Sequence, residues 1–384
     1  MAAQRSSGRT VAVAALLSAG LIGAACSSDG HGAATTAAPT SELATTTSRA
    51  PEPTTTTAAI STPSTVTAGS DVATTSTIAI VPTYPLTGLP VTELLTDGRP
   101  ALVVKIDNHP DARPQKGLNE ADIVFEENVE NLTRFAAVFH STNTDIVGPI
   151  RSGRTQDVDL LGSLNKPIFI WSGGNAKVSA AIDGSDLVAV DETRAGQAMF
   201  RDHSRKAPHN LYGTLAELYK FSPPDGSPPP QQFLYRPAGA AAPGADAVGV
   251  KVSMDGIRVR WQWDASTGRY LRFSDEKAHD DAVNGAQVYT NNVVVLNVAY
   301  KPSAADEHSP EAQTEGYGVA WVFTAGKVIK GSWVRADRLQ PFTLSDADGN
   351  PILLTPGHTF IELARPSTSA VIPAGSDAAA IPYP

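Results

Sequence analysis

The first 83 residues contain no Phe, Trp or Tyr, and Tyr84 is the first aromatic side chain. A packed core needs large apolar side chains, so this boundary confines globular structure to the remaining ~300 residues, enough for two modest cores. Ser27 to Thr83 is mostly Thr, Ala, Ser and Pro, with runs such as Thr54-Thr55-Thr56-Thr57. Such a segment cannot bury enough surface to offset the entropy of ordering the chain. The expectation is a disordered tether whose ends lie roughly 40 Å apart as a flexible coil. Its composition also suits mucin-like O-glycosylation.

What precedes the tether reads as an address. Arg5 and Arg9 are followed by the uncharged stretch Val11 to Ala25, the length of a signal-peptide apolar region. It falls short of the ~20 apolar residues that span a bilayer. Ile22-Gly23-Ala24-Ala25-Cys26 then resembles a bacterial lipobox, although Gly23 stands where leucine is commonest. Cys26 is the single cysteine of the chain, so internal disulfides and Cys-rich metal or redox sites are excluded. Cys26 is the expected lipidation site, and two or more acyl chains there would anchor stably. The expected location is the outer face of the bacterial cytoplasmic membrane.

The net charge of −9 argues against nucleic-acid binding, which needs a basic field to release phosphate counterions. It equally disfavours a polybasic grip on anionic lipid.

From Arg99 the pattern changes. Strands are expected at Ala101–Ile106, Asp122–Phe125, Arg134–His140, Pro167–Trp171 and Leu187–Val190, with helices at Asp157–Leu164 and Thr214–Tyr219. Ser172-Gly173-Gly174-Asn175 could cap a helix beginning at Ala176. Beyond a Pro/Gly/Ala-rich connector, the period becomes two. Ile257, Val259, Trp261 and Trp263 share one strand face, which is more often core than a sugar platform. Further strands follow at Arg269–Phe273, Asn292–Tyr300, Tyr317–Thr324, Val328–Arg335 and Gly357–Leu363. The fold class is therefore α+β. Its parts are a leader over 1–25, a lipidated tether over 26–83 and a mixed α/β domain over 84–222. A connector over 223–245, a smaller antiparallel all-β domain over 246–365 and a flexible tail over 366–384 complete it.

Polar residues of the first folded region concentrate in its connections. Glu126, Glu127 and Glu130 face a population of arginines, and on an extended chain Glu126, Asn128 and Glu130 would share a face. Such carboxylates suit a general acid/base pair, a metal site or plain ion pairs. Arg-Pro and Gly-Pro-Ile-Arg segments hold guanidinium groups on rigid turns, and a guanidinium fork matches carboxylate or phosphate. The candidate anion cleft comprises Arg113, Arg134, Arg151 and Arg154, with Asp107, Asn108, His209 and Asn210 beside it. His279-Asp280-Asp281 and the pair His203, His209 lack a convincing metal-ligand set. Neither metal nor other cofactor is expected. Gly-x-Ser-x-Gly, His-Glu-x-x-His and Walker A motifs are absent.

Several motifs occur in a recognisable order. They are Asp107-Asn108, Ala112-Arg113-Pro114-Gln115-Lys116-Gly117-Leu118, Ala121-Asp122-Ile123-Val124-Phe125-Glu126 and Thr133-Arg134-Phe135. Ile146-Val147-Gly148-Pro149-Ile150-Arg151-Ser152-Gly153-Arg154 and Arg205-Lys206-Ala207-Pro208-His209-Asn210-Leu211-Tyr212 follow. From about Tyr84 to Ala364 the chain resembles the YerB-type bacterial lipoproteins, a family with a two-part domain of unknown function 3048. The resemblance implies an envelope lipoprotein and carries over no catalytic residues. Two functional expectations stand together. One is a non-enzymatic, membrane-anchored module that binds an anionic cell-envelope component or a partner protein. The other is a cell-wall glycan hydrolase using Glu126, Glu127 or Glu130 as acid and base.

Overall fold

The structure, a computed structural model, describes residues 81–91 and 98–384, which belong to one compact unit. The leader, Cys26 and nearly all of the expected tether lie outside the described residues. No helix among those described is long and apolar enough to cross a membrane.

The first segment holds β1 (Leu102–Asp107), β2 (Ile123–Val129), β3 (Leu132–Phe139), β4 (Ile146–Val147), α1 (Gln156–Leu161), β5 (Ile168–Ile170) and α2 (Ala176–Asp183). It continues through β6 (Val188–Val190), α3 (Glu192–Ala195), β7 (Met199–Arg201), β8 (Leu211–Thr214) and α4 (Leu215–Leu218). The second is all strand: β9 (Ala245–Met254), β10 (Ile257–Asp264), β11 (Arg269–Ser274), β12 (Lys277–Ala278), β13 (Tyr289–Thr290), β14 (Asn292–Asn297) and β15 (Tyr300–Pro302). After these come β16 (Pro310–Ala312), β17 (Gly316–Thr324), β18 (Lys327–Arg335), β19 (Thr343–Asp346), β20 (Thr359–Ala364) and β21 (Ser369–Pro373). Sheet therefore dominates, with few and short helices.

The two segments share a sheet. Its path is β12-β11-β10-β9-β18-β17-β14-β20-β2-β3-β1-β5-β6. β20, from the far end of the second segment, lies between β14 and β2 and runs parallel to both. The second segment is thus not a closed antiparallel module. β20 reads Thr-Phe-Ile-Glu-Leu-Ala and is buried throughout, as parallel strands covered on both faces must be. Residues 366–384, expected as a flexible tail, are pinned back. β21 pairs with β9, and Ser253 Oγ donates to the Pro384 carbonyl at 2.7 Å.

Burial on both faces also explains β1. Leu102, Val104 and Ile106 enter one hydrophobic cluster, while Ala101 and Val103 enter the other. Each of the Leu, Val and Ile side chains contributes about 1.5–3 kcal/mol by leaving water. Lys105 occupies the remaining inward position, fully buried, against Glu127 and Asp157 (2.7 Å). Burial pulls its ammonium down to about 8, against the pull of Asp157.

β5, α2 and β6 form a parallel strand–helix–strand unit. Asn175 Oδ1 accepts from the Lys177 and Val178 amides, both at 3.0 Å, so the expected cap is present. Trp261 is fully buried against Phe360 and donates to Glu362 Oε1 at 2.7 Å. Trp263 packs against Tyr270. Trp261 belongs to the core, and the half-buried Trp263 packs against it.

Polar ties cross between the segments at several points, among them Gln156 Oε1, which accepts from the Ala312 amide at 2.7 Å. Asp281 Oδ2 accepts from the Leu118 (2.6 Å) and Asn119 (3.3 Å) amides. Arg272 Nη2 donates to Glu126 Oε2 at 2.5 Å, with both side chains at zero exposure. Glu126 Oε1 also accepts from Asn108 Nδ2 (3.1 Å) and Thr133 Oγ1 (2.7 Å). The β2–β20 register places Glu362 beside Glu126. Burial and that neighbouring charge push the Glu362 carboxyl well above the usual range, so it stays neutral.

Candidate functional site

β1 and β5 are parallel neighbours, so their carboxyl ends open on the same edge, the usual position of a ligand crevice in such sheets. β3 runs antiparallel to β1 and brings Arg134 opposite Asp107 at that edge. The Gly148–Ile150 segment returns beside it. Arg151 N donates to Lys105 O (2.8 Å), and Ser172 N donates to Arg151 O (3.0 Å). These backbone bonds line up Asp107, Arg134, Arg151, Ser152 and Ser172.

Asp107 organises the group. Its Oδ2 contacts His209 Nδ1 at 2.7 Å and Arg151 Nε at 3.2 Å, and its Oδ1 accepts from the His109 amide at 3.0 Å. His209 stacks on His109 with centroids 4.4 Å apart. Arg154 is bidentate to Glu130, at 2.8 and 2.6 Å. Burial opposes ionisation of Glu130, but the Arg154 and Ser309 hydrogen bonds prevail and hold it at about 2.

Arg134 differs from its neighbours. It is 8% exposed and forms no ion pair among the described residues. Its hydrogen bond runs from Nη1 to the Ser152 carbonyl, at 2.8 Å. Burial first, then the Arg154 cation, and more weakly Arg151, pull its guanidinium down to about 10, against Glu130 and Asp107. Ser152, Arg154, Ser172, Asn175 and Ser309 help to line an adjoining cleft of about 390 Å³. The arrangement is a buried guanidinium flanked by two others, with hydroxyls and a helix N-terminus close by.

The other candidates divide. Asn108 and Arg113 turn to the opposite side, into the Glu126–Arg272 network. Arg113 Nε donates to Asn108 Oδ1 at 3.2 Å, and its side chain faces a second cleft with Lys277, Asp275 and His279. Burial, then the nearby Arg272, lowers its guanidinium to about 10. Asn210 closes the 202–210 loop through the Asp202 and Arg205 carbonyls, at 3.2 and 3.3 Å. The three glutamates do not form a set. Glu126 and Glu127 are fully buried and directed to Arg272 and Lys105. β2 ends at Val129, and Asn131 at φ 52° turns the chain, so Glu130 goes to Arg154.

His279, considered with Asp280 and Asp281 for a metal, is fully occupied otherwise. Arg272 Nη1 donates to its Nδ1, and its Nε2 donates to Gln115 Oε1 at 2.6 Å. Burial, then Arg272, keeps it neutral by driving its pKa well below the ordinary value. Arg272, Lys105, Ser152, Ser172 and His109 are site residues that the sequence does not single out. Arg272 carried a local signal: it shares parity with the inward-facing Tyr270 on β11, where an arginine requires a buried partner.

The two kinds of arginine predict different stability effects. Arg272→Met strands an ionised Glu126 in the core and is expected to cost about 3–5 kcal/mol. Arg134→Met removes a buried cation with no ion-pair partner and should leave stability unchanged or raised. Urea unfolding of both variants checks this; an equal loss in both would make Arg134 a structural residue.

The description "Protein of unknown function (DUF3048) N-terminal domain" matches residues 86–226, and the corresponding C-terminal domain matches residues 248–361. "Putative lipoprotein YerB" from Bacillus subtilis (strain 168) is 31% identical over 304 residues, covering 76% of this chain and 88% of the relative. The crystal structure of the YerB protein from Bacillus subtilis has a TM-score of 0.66 at 25% identity, covering 75% of this chain and 99% of the other. The ordered motifs, the two matched halves and the shared fold agree: the chain belongs to the DUF3048 family, with YerB among its relatives.

Proposed function

We propose that this protein is a lipid-anchored envelope module that binds an anionic cell-wall component through Arg134, Arg151 and Arg154. The observation that carries the reading is Arg134, nearly buried near Arg151 and Arg154, which take the nearby carboxylates Asp107 and Glu130 and leave it without an ion pair. Burying a cation without a partner is costly, and an incoming carboxylate or phosphate would supply the missing charge in bidentate form. Arg151 keeps 27% of its side chain exposed, so it can meet such a ligand at the rim.

Hydrolysis by paired carboxylates has less support. Glycosidase chemistry needs two carboxyl groups open to one bond, about 5–9.5 Å apart. Glu126 and Glu127 have no exposed surface, and each is already directed to a cation. An anionic face on a partner protein would satisfy the same arginines and is the second reading.

Anchoring through Cys26 would place the folded region outside the membrane. Cys26→Ser should shift the protein from the membrane to the soluble fraction; continued sedimentation with membranes would contradict lipid attachment there. Arg151→Ala should lower retention of the full chain on purified wall material at least several-fold, and added salt should reproduce the loss. Retention that resists both the substitution and salt would remove the anion-binding proposal.

A further inference from the structure

Recognition of an anion by arginines leaves the two stacked imidazoles without a task. His109, Asp111 and His209 each place a ligand atom within 4.8 Å of the others. His209 is the best prepared. Its Nδ1 meets Asp107 Oδ2 at 2.7 Å, and a carboxylate oxygen can only accept there. The proton therefore sits on Nδ1, and the lone pair of the neutral ring is the one on Nε2. This carboxylate–histidine contact is the outer-shell device that fixes tautomer and ring direction in metal-binding histidines. Asp107 is itself held by Arg151 and the His109 amide, so the orientation is set before any ion arrives.

We propose that His109, Asp111 and His209 form a site for one divalent transition-metal ion, with Asp107 as its outer-shell carboxylate. Two imidazoles and one carboxylate suit Zn²⁺ with a fourth position open; hard cations such as Mg²⁺ and Ca²⁺ prefer oxygen donors. The rings lie 16° from parallel, and two stacked rings cannot both aim an in-plane lone pair at one ion. His109 must therefore turn, giving up the 3.1 Å contact its Nδ1 accepts from the Asp111 amide. The side chains of His109 and Asp111 are 35% and 64% exposed, which leaves room for that movement. Arg151 repels an arriving cation, and Asp107, shared between Arg151 and His209, offsets that repulsion. Arg134 and Arg154 supply none of the ligands, and the two sites meet only at Arg151, which holds Asp107.

The experiment is a calorimetric titration of Zn²⁺ into the full chain carrying Cys26→Ser, which removes the lone thiol as a competing ligand. One equivalent should bind, and Co²⁺ in its place should give visible tetrahedral or five-coordinate bands. Asp107→Asn should weaken binding about 10–100-fold, and His209→Ala or His109→Ala by at least as much. His109 is partly exposed, so its variant should retain the native melt and keeps the test valid if the Asp107 or His209 variants unfold. His203→Ala should bind as the parent does. Absence of Zn²⁺ binding, or affinity undiminished by His109→Ala in a folded chain, overturns the site.

Discussion

Glu126 and Arg272 meet inside the protein with no exposed surface on either side chain, and most of the polar architecture depends on that pair. Glu126 belongs to β2 and Arg272 to β11, so the pair joins the two segments through the core. Its remaining hydrogen-bonding capacity recruits Asn108 and Thr133 on the glutamate side, and His279 on the arginine side. Gln115 then links His279 back to the Asp107 carbonyl at 2.9 Å. The loop that follows β1 is thereby fixed from below, and with it the position from which the Asp107 carboxylate faces the crevice. One arginine can balance one carboxylate. Glu362, set beside Glu126 by strand register and bonded to Trp261, therefore remains protonated.

Much of the local structure was legible in the sequence. β1, β2, β3, β5, β6, β10, β11, β17 and β18 follow apolar runs or period-two patterns, and Asn175 caps the helix it was expected to cap. What escaped depends on distant partners. Nothing near Thr359–Ala364 says that this strand lies between β14 and β2, because parallel pairing is specified by burial on both faces rather than by a turn. β21 escaped for a similar reason: Ser369–Pro373 is short, and its pairing with β9 reaches back more than a hundred residues.

The candidate site was partly legible, and the misplacements have a common cause. Arg134, Arg151, Arg154, Asp107 and His209 do gather at one edge. Arg113 and Asn108 lie close to Asp107 in sequence, yet the turn after β1 sends them to the other side of the sheet. Glu126 and Glu127 looked available because acidic residues on a strand are usually solvated. Here β2 is covered on both faces, so adjacent glutamates are buried in opposite directions and each is directed to its own cation. Among the arginines gathered at this edge, the one without an ion pair is Arg134, whereas the buried Arg236 and Arg335 elsewhere are held by several carbonyls and hydroxyls. The lack of an ion-pair partner for Arg134 could not be read from a chain in which acidic residues outnumber basic ones, 39 to 30.

An anion that completes the charge around Arg134 must change the surroundings of its guanidinium. The direct measurement is the guanidinium Nε–H resonance of Arg134 in the ¹⁵N-labelled full chain, followed while inorganic phosphate is added. A progressive, saturating shift of that resonance is expected, with Arg151 moving alongside and Arg272 unmoved in its internal pair. An Arg134 resonance that stays fixed through the titration, or that moves no more than Arg272, would contradict anion binding there.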